Sequence, residues 1–197
     1  MTDTQARDKW NKIYQDADQA QPVEVVVENI HLVPTQGRGL ELACGLAANS
    51  MALAQHGLAM EAWDISAVAI ERVNDEAHRR SLAVSGQARD VVVSPPQHGA
   101  YDVVVVSYFL DRTLVAPIIS ALKPGGLLFY QTFTQTRVHD SGPRSEAFRL
   151  ADGELLTLFA ALRPLVYREE GRVGDLTKGY RDEAMLVAQK PLGTEHG

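Results

Sequence analysis

Leu40-Glu41-Leu42-Ala43-Cys44-Gly45-Leu46-Ala47-Ala48-Asn49-Ser50 is an apolar run that halts at small residues and reopens as a helix start. Gly45 lets backbone N–H groups approach a ligand with no Cβ in the way. The helix that follows offers unpaired donors and a positive dipole end. Strand, small-residue turn and helix in this order read as the seat of a nucleotide-like cofactor. Asp64 closes the next apolar run, residues 58–63, and lies 19 positions after Gly45. In a βαβ unit an acid at the end of the second strand faces a ribose and accepts from both hydroxyls. Gly45 is the only glycine in the turn, so no GxGxxG can be written through it, which disfavours the diphosphate-hugging turn of a dinucleotide site.

The chain of 197 residues, 45% hydrophobic and 22% charged, suits one domain with a full core. A net charge of −6 argues against a broad nucleic-acid surface and favours a small-molecule substrate. Cys44 is the only cysteine, so no internal disulfide forms. No apolar leader opens the sequence and no uncharged stretch reaches the roughly 18 residues of a membrane span, so the expected compartment is the cytoplasm. The six histidines are scattered, with no pattern of metal-ligand spacing, and no metal is expected. The oligomeric state is not legible.

Outward from the turn, residues 3–19 predict a helix whose narrow apolar stripe is Trp10, Ile13 and Tyr14. Pro22 suits the first turn of a second helix, residues 23–33. The first strand is expected at 40–44, a helix from Ala48 or Asn49 to a Gly57 stop, and a second strand ending at Asp64. Ser66 can cap a helix from Ala67 to about Arg80. A short third strand is expected at 82–85. Tyr101 to Ser107 is the strongest strand, a near-continuous apolar run fit for burial on both faces of a parallel sheet. A helix over 114–122 leads to Lys123-Pro124-Gly125-Gly126, a turn into another strand. After residue 134 comes a polar loop, then a helix over 152–161 capped by Asp152, and strands at 166–173 and 184–190 forming an antiparallel edge hairpin.

The succession Leu-Glu-Leu-Ala-Cys-Gly (40–45), Trp-Asp-Ile-Ser (63–66), Tyr-Asp-Val-Val-Val-Val-Ser-Tyr-Phe-Leu-Asp-Arg (101–112) and Leu-Lys-Pro-Gly-Gly-Leu-Leu-Phe-Tyr-Gln-Thr-Phe (122–133) resembles the class I S-adenosylmethionine-dependent methyltransferases, in the tellurite-resistance and thiopurine methyltransferase-like branch. Glu41, Ala43, Gly45 and Ala47 stand where that family's first motif has its acid and small residues, with Ala47 in place of the last glycine. The resemblance implies an α/β, Rossmann-like three-layer sandwich with a mostly parallel seven-stranded sheet and an antiparallel C-terminal hairpin. It implies S-adenosyl-L-methionine as cofactor, held by Glu41, Ala43, Cys44, Gly45, Asn49, Asp64, Ile65 and Ser107, with Asp90 and Val91 at the adenine. Residues 1–35 then form a helical cap before a core at 36–197. In related enzymes a Trp-x-x-x-Tyr segment folds over the cofactor, a role open to Trp10 and Tyr14, whose faces attract a sulfonium; simple packing of a terminal helix is the alternative.

Methyl transfer from a sulfonium is an in-line displacement carried mostly by placement and exclusion of water, so a chain without a catalytic dyad can still perform it on a small soluble nucleophile. If the acceptor carries a proton, Tyr108, Asp111 and His139 are candidates to remove it. Tyr108, Arg112, Arg137 and Arg144 are candidates to hold the substrate, the arginines an anionic one. Tyr108 as wall, Asp111 as helix cap and Arg112 as surface charge remain open. The competing functions are an NAD-dependent oxidoreductase on a related sheet, and a non-catalytic cofactor-binding or macromolecule-methylating protein.

Overall fold

The computed structural model describes residues 3–18 and 20–193. Its centre is a seven-stranded sheet: β1 (Arg38–Leu42), β2 (Ala59–Asp64), β3 (Val84–Ala88), β4 (Tyr101–Ser107), β5 (Leu122–Phe133), β6 (Arg163–Arg168) and β7 (Glu183–Gln189), in the order β3-β2-β1-β4-β5-β7-β6. The first five strands pair in parallel; β7 runs antiparallel to both β5 and β6. The α/β architecture and the antiparallel close are therefore as expected. Strand order reverses between β1 and β4, and in such sheets the crevice outside the carboxyl ends at the reversal is where ligands bind.

Burial of β4 on both faces explains its unbroken apolar run. Val104 and Val106 join Leu40, Leu42, Leu128 and Tyr130 in one core. Val103 and Val105 join Leu127, Phe129, Met185 and Val187 in the other. Flanking the sheet are α1 (Asp3–Gln15), α2 (Glu24–Val27), α3 (Ala48–His56), α4 (Ala67–Arg79), α5 (Val115–Ala121) and α6 (Glu154–Leu158). Ser66 caps α4, its Oγ accepting from the Ala69 N–H at 3.2 Å.

Several boundaries differ from the expectation for local reasons. The helix foreseen over 23–33 is one turn, α2, followed by a 3-10 turn, Ile30–Leu32. Asn29 breaks it: its backbone leaves helical geometry and its Nδ2 donates to the Val25 carbonyl at 3.0 Å. β1 starts and ends two residues early, because residues 43–47 form the bend. β3 begins at Val84 rather than Leu82, whose N–H closes the end of α4 on the Ala77 carbonyl. The Lys123–Gly126 stretch lies inside β5 as an irregularity, with Gly125 at φ 80°. Asp152 does not cap α6; Gly153 holds that place at φ 70°, and the Asp152 carboxylate accepts from the Thr136 hydroxyl. β6 ends at Arg168, and Val173, expected inside it, is 79% exposed.

Candidate functional site

Three residues of the bend, Ala43, Gly45 and Ala47, hold positive φ (51°, 52° and 55°), a region that disfavours side chains. Hydrogen bonds to the end of β2 hold it there. The Cys44 N–H donates to the Trp63 carbonyl at 3.0 Å. The Gly45 N–H donates to Asp64 Oδ2 at 2.8 Å, while Asp64 Oδ1 accepts from the Ser66 N–H at 2.9 Å. Asp64 thus faces the bend across the gap. Its carboxyl pKa is raised by burial, against which its amide donors work.

Behind the bend, Glu41 is buried at 1% exposure. Its Oε1 accepts from Asn49 Nδ2 at 2.8 Å, and its Oε2 from the Ser50 N–H at 2.9 Å and the Ser50 hydroxyl at 2.6 Å. Burial pushes its pKa up to about 7. Asn49 reaches further: Nδ2 also lies 3.2 Å from Ser107 Oγ, and Oδ1 accepts from the Val23 N–H at 2.9 Å. Glu41, Asn49 and Ser107 are one network linking β1, α3 and β4. The Cys44 thiol is buried, and burial raises its pKa.

Over the bend lies α1. A Cβ on Gly45 would sit 2.6 Å from the Tyr14 hydroxyl, so the space above the glycine holds that phenol. Burial raises the Tyr14 pKa, and Asp64, Cys44 and Glu41 raise it further. Trp10 stacks on Tyr14 at 5.6 Å. Three hydrogen bonds moor α1 to α4 and its cap: the Ser66 hydroxyl donates to Asn11 Oδ1 at 2.7 Å, the Val68 N–H to the same oxygen at 3.4 Å, and Arg72 Nη1 to the Tyr14 carbonyl at 2.6 Å. At the end of β3 the Arg89 N–H donates to the Asp64 carbonyl at 2.7 Å, which brings the following residues beside Ile65. There Asp90 Oδ1 caps a turn by accepting from the Val92 and Val93 amides, and Val91 is buried in the core with Trp63.

Beyond β4 the expected substrate residues separate. Tyr108, at φ 53° and 47% exposed, stacks on Phe133 at 5.0 Å. Asp111 caps a 3-10 turn by accepting from the Thr113 N–H at 2.9 Å. Arg112 is spent on Glu154 and on the Ala147 and Arg149 carbonyls. Arg137 donates to the Arg144 carbonyl at 2.9 Å, and the Arg144 side chain is exposed. His139 places Nδ1 2.6 Å from Asp182 Oδ2.

Unforeseen in the sequence is a polar group around Gln131, which is fully buried on β5. Its Oε1 accepts from the Val25 N–H at 2.8 Å, and its Nε2 lies 2.8 Å from Glu24 Oε2 and 2.7 Å from Glu183 Oε2. The one readable signal was a Gln-Thr pair interrupting an otherwise apolar strand. Among the described residues no group of three or more His, Cys, Asp or Glu side chains is placed to hold a metal. No described helix is long and apolar enough to cross a membrane.

Comparison with known proteins places this geometry. Residues 4–185 match the family model of the tellurite resistance protein TehB. A ubiquinone biosynthesis O-methyltransferase of Coxiella burnetii is 25% identical over 101 residues, a match covering 49% of this chain and 43% of that relative. The chain thus spans less than half the length of the relative it matches. Among solved structures, TehB from Haemophilus influenzae superposes with a TM-score of 0.72 at 20% identity, over 92% of this chain and 67% of that one. A SAM-dependent methyltransferase of Methanosarcina mazei gives 0.66 at 18%, over 87% and 99%. The family model covers nearly the whole described chain, including the bend, Asp64 and the β5 polar group: the protein belongs to the tellurite resistance protein TehB family.

Proposed function

We propose that the chain is an S-adenosylmethionine-dependent methyltransferase that acts on a small soluble nucleophile by in-line displacement. The observation that carries this reading is the Gly45 N–H bond to Asp64 Oδ2 at 2.8 Å, which sets the acid at the end of β2 against a bare bend. The donor set fits the cofactor. Asp64 Oδ2 and Oδ1 accept from the Gly45 and Ser66 amides, the Ile65 amide also favours the charged form, and the carboxylate keeps acceptor capacity for a ribose hydroxyl. Gly45 holds φ 52°, where any side chain is strained, so the bare bend depends on that glycine.

In this reading Ala43, Cys44 and Gly45 offer backbone to the cofactor, and Glu41, Asn49 and Ser107 stiffen the far side of the seat. Ile65, Asp90 and Val91 flank the adenine. When bound, S-adenosylmethionine supplies a methyl group on a cationic sulfur, ready for displacement. The chain's own contribution is orientation and exclusion of water. Residues 1–35 act as a cap on a core of 36–197: Trp10 and Tyr14 cover the seat, and the Tyr14 phenol moves off Gly45 as the cofactor enters. Cys44, the single cysteine, is a free buried thiol and suits a reducing compartment, the cytoplasm.

Isothermal titration tests the reading. S-adenosylmethionine and S-adenosylhomocysteine are both expected to bind, and Asp64→Ala to weaken each at least tenfold. Absence of heat with either ligand on folded protein, alongside a thermal shift with NAD, would replace methyl transfer by the oxidoreductase alternative.

A further inference from the structure

A cavity of about 260 Å³ opens where β5 ends and β7 begins, lined in part by Glu24, His139, Tyr180 and Glu183. At its edge stands a His–Asp pair. Asp182 is 5% exposed and accepts from the Val138 N–H, from the His139 N–H at 3.0 Å and from the His139 ring at 2.6 Å. Burial raises the Asp182 pKa, but those donors overcome it and hold the carboxyl below its ordinary value. An ionised Asp182 fixes the hydrogen of His139 on Nδ1. Nε2 is left with its lone pair on a side chain that is 61% exposed.

The wall beside it carries two carboxyls, Glu24 and Glu183, and burial together with the neighbouring Glu24 raises the Glu183 pKa. The Gln131 Nε2 lies within bonding distance of Glu24, Glu183 and, at 3.3 Å, the Tyr108 oxygen, although an amide carries only two hydrogens. Tyr180 also donates to Glu183, at 3.3 Å. Among the described residues neither glutamate forms an ion pair with a basic side chain. The basic side chains that line the cavity are engaged elsewhere: Arg181 donates to five main-chain carbonyls, and Lys178 pairs with Asp175 at 3.5 Å. Gln131 is the strand neighbour of Ser107, which belongs to the Glu41–Asn49 network. Cofactor seat and cavity therefore adjoin along one row of the sheet.

We propose that His139, oriented by Asp182, takes the proton from the methyl acceptor, and that the acceptor is a protic, neutral or cationic nucleophile rather than an oxyanion. This rests on the methyltransferase reading above. The acceptor's X–H lone pair forms the new bond to carbon, the methyl–sulfur pair stays on sulfur, and the proton passes to His139 Nε2 and then to solvent. His139 is the base; Asp182 is a positioning residue. The charged and titratable groups around the ring and its partner are Asp182, Asp140, Arg137, Arg149, Glu183, Glu24, Tyr180, Lys178 and Arg181.

The experiment uses the full chain, His139→Gln and Asp182→Asn, with folding checked by circular dichroism and cofactor affinity by titration. Acceptors are catechol, dithiothreitol, histamine, pre-ionised hydrogen selenide and tellurite. We expect unchanged cofactor affinity in His139→Gln, a loss of about 100-fold or more in kcat on protic acceptors, and near wild-type rate on hydrogen selenide. Nitrogen NMR of labelled histidine reads the pair without turnover: in the wild type Nδ1 carries the hydrogen, and Asp182→Asn shifts the ring toward the other tautomer. Should Asp182→Asn fail to fold, His139→Gln with the wild-type spectrum decides alone.

Rates within threefold of wild type with an unmoved pH profile would overturn the proposal. So would methylation of tellurite alone, or protic probes that are neither methylated nor able to shift the His139 signals. Failure of the wild type to bind S-adenosylmethionine would instead remove the reading beneath it.

Discussion

Glu41 places a carboxyl in the core, and its behaviour with pH follows. Its pKa rises from 4.5 to about 7 on folding, through burial. Between those values the folded state holds more protons than the unfolded one, so this group's contribution to stability falls as pH rises and levels off above 7. The span is worth about 3 kcal/mol, and Asp64, also raised, adds with the same sign. Urea titrations at pH 5 and pH 8 should show a smaller difference in Glu41→Gln than in the wild type; equal differences would mean that Glu41 titrates normally. Ala47, fully buried at φ 55°, offers a second test. Ala47→Gly should stay within about 1 kcal/mol of wild type, relief of backbone strain offsetting the lost methyl, whereas Ala47→Val should cost about 3 kcal/mol or more. Thermal melts separate the two. Asp64 and Glu41 were legible because strand and turn fix them within one βαβ unit. Asp182 and Glu183 were not: their partners His139 and Gln131 lie 43 and 52 positions away and meet them only through the β5–β7 pairing.

Among the elements, α1 is held by polar moorings more than by apolar burial. Trp10 and Ile13 on its stripe remain 38% and 44% exposed. Removing residues 1–15 should therefore move the melting temperature by less than about 5 °C while speeding release of S-adenosylhomocysteine in stopped-flow; a core that no longer folds would make α1 a structural element instead of a cap. Ser66→Ala should cost about 1 kcal/mol through the lost cap of α4. It should also raise hydrogen exchange in α1, since the same hydroxyl reaches Asn11. The single turn of α2 shows why residues 23–33 misled. Val25, Val26, Val27, Ile30 and Val33 carry apolar periodicity, and the Val23 and Val25 amides are drawn to Asn49 and Gln131, partners 26 and 106 positions away. Those amides belong to the first turn, which has no partners of its own for them, so they anchor the helix start; the pattern fails at Asn29, whose backbone leaves helical geometry and whose side chain donates to the Val25 carbonyl.

For the molecule as a whole, stability rests on the two cores divided by the central sheet. Phe129, fully buried on β5, should cost about 3–5 kcal/mol when cut to Ala, read as a lower urea midpoint with unchanged slope. The sheet was readable from its apolar runs, β4 above all. The edge was less so, because the loop from 169 to 182 takes its shape from Gly171, Gly174 and Gly179 at positive φ and from the many carbonyls that Arg181 gathers. One feature of the seat serves as a built-in clock. The protein's sole thiol is buried in the bend, next to the Gly45 that the Tyr14 phenol covers, and burial keeps it protonated. Its labelling by a disulfide reagent should be slow in the resting protein and fast once the first helix is cut away, so the labelling rate counts how often the molecule uncovers itself.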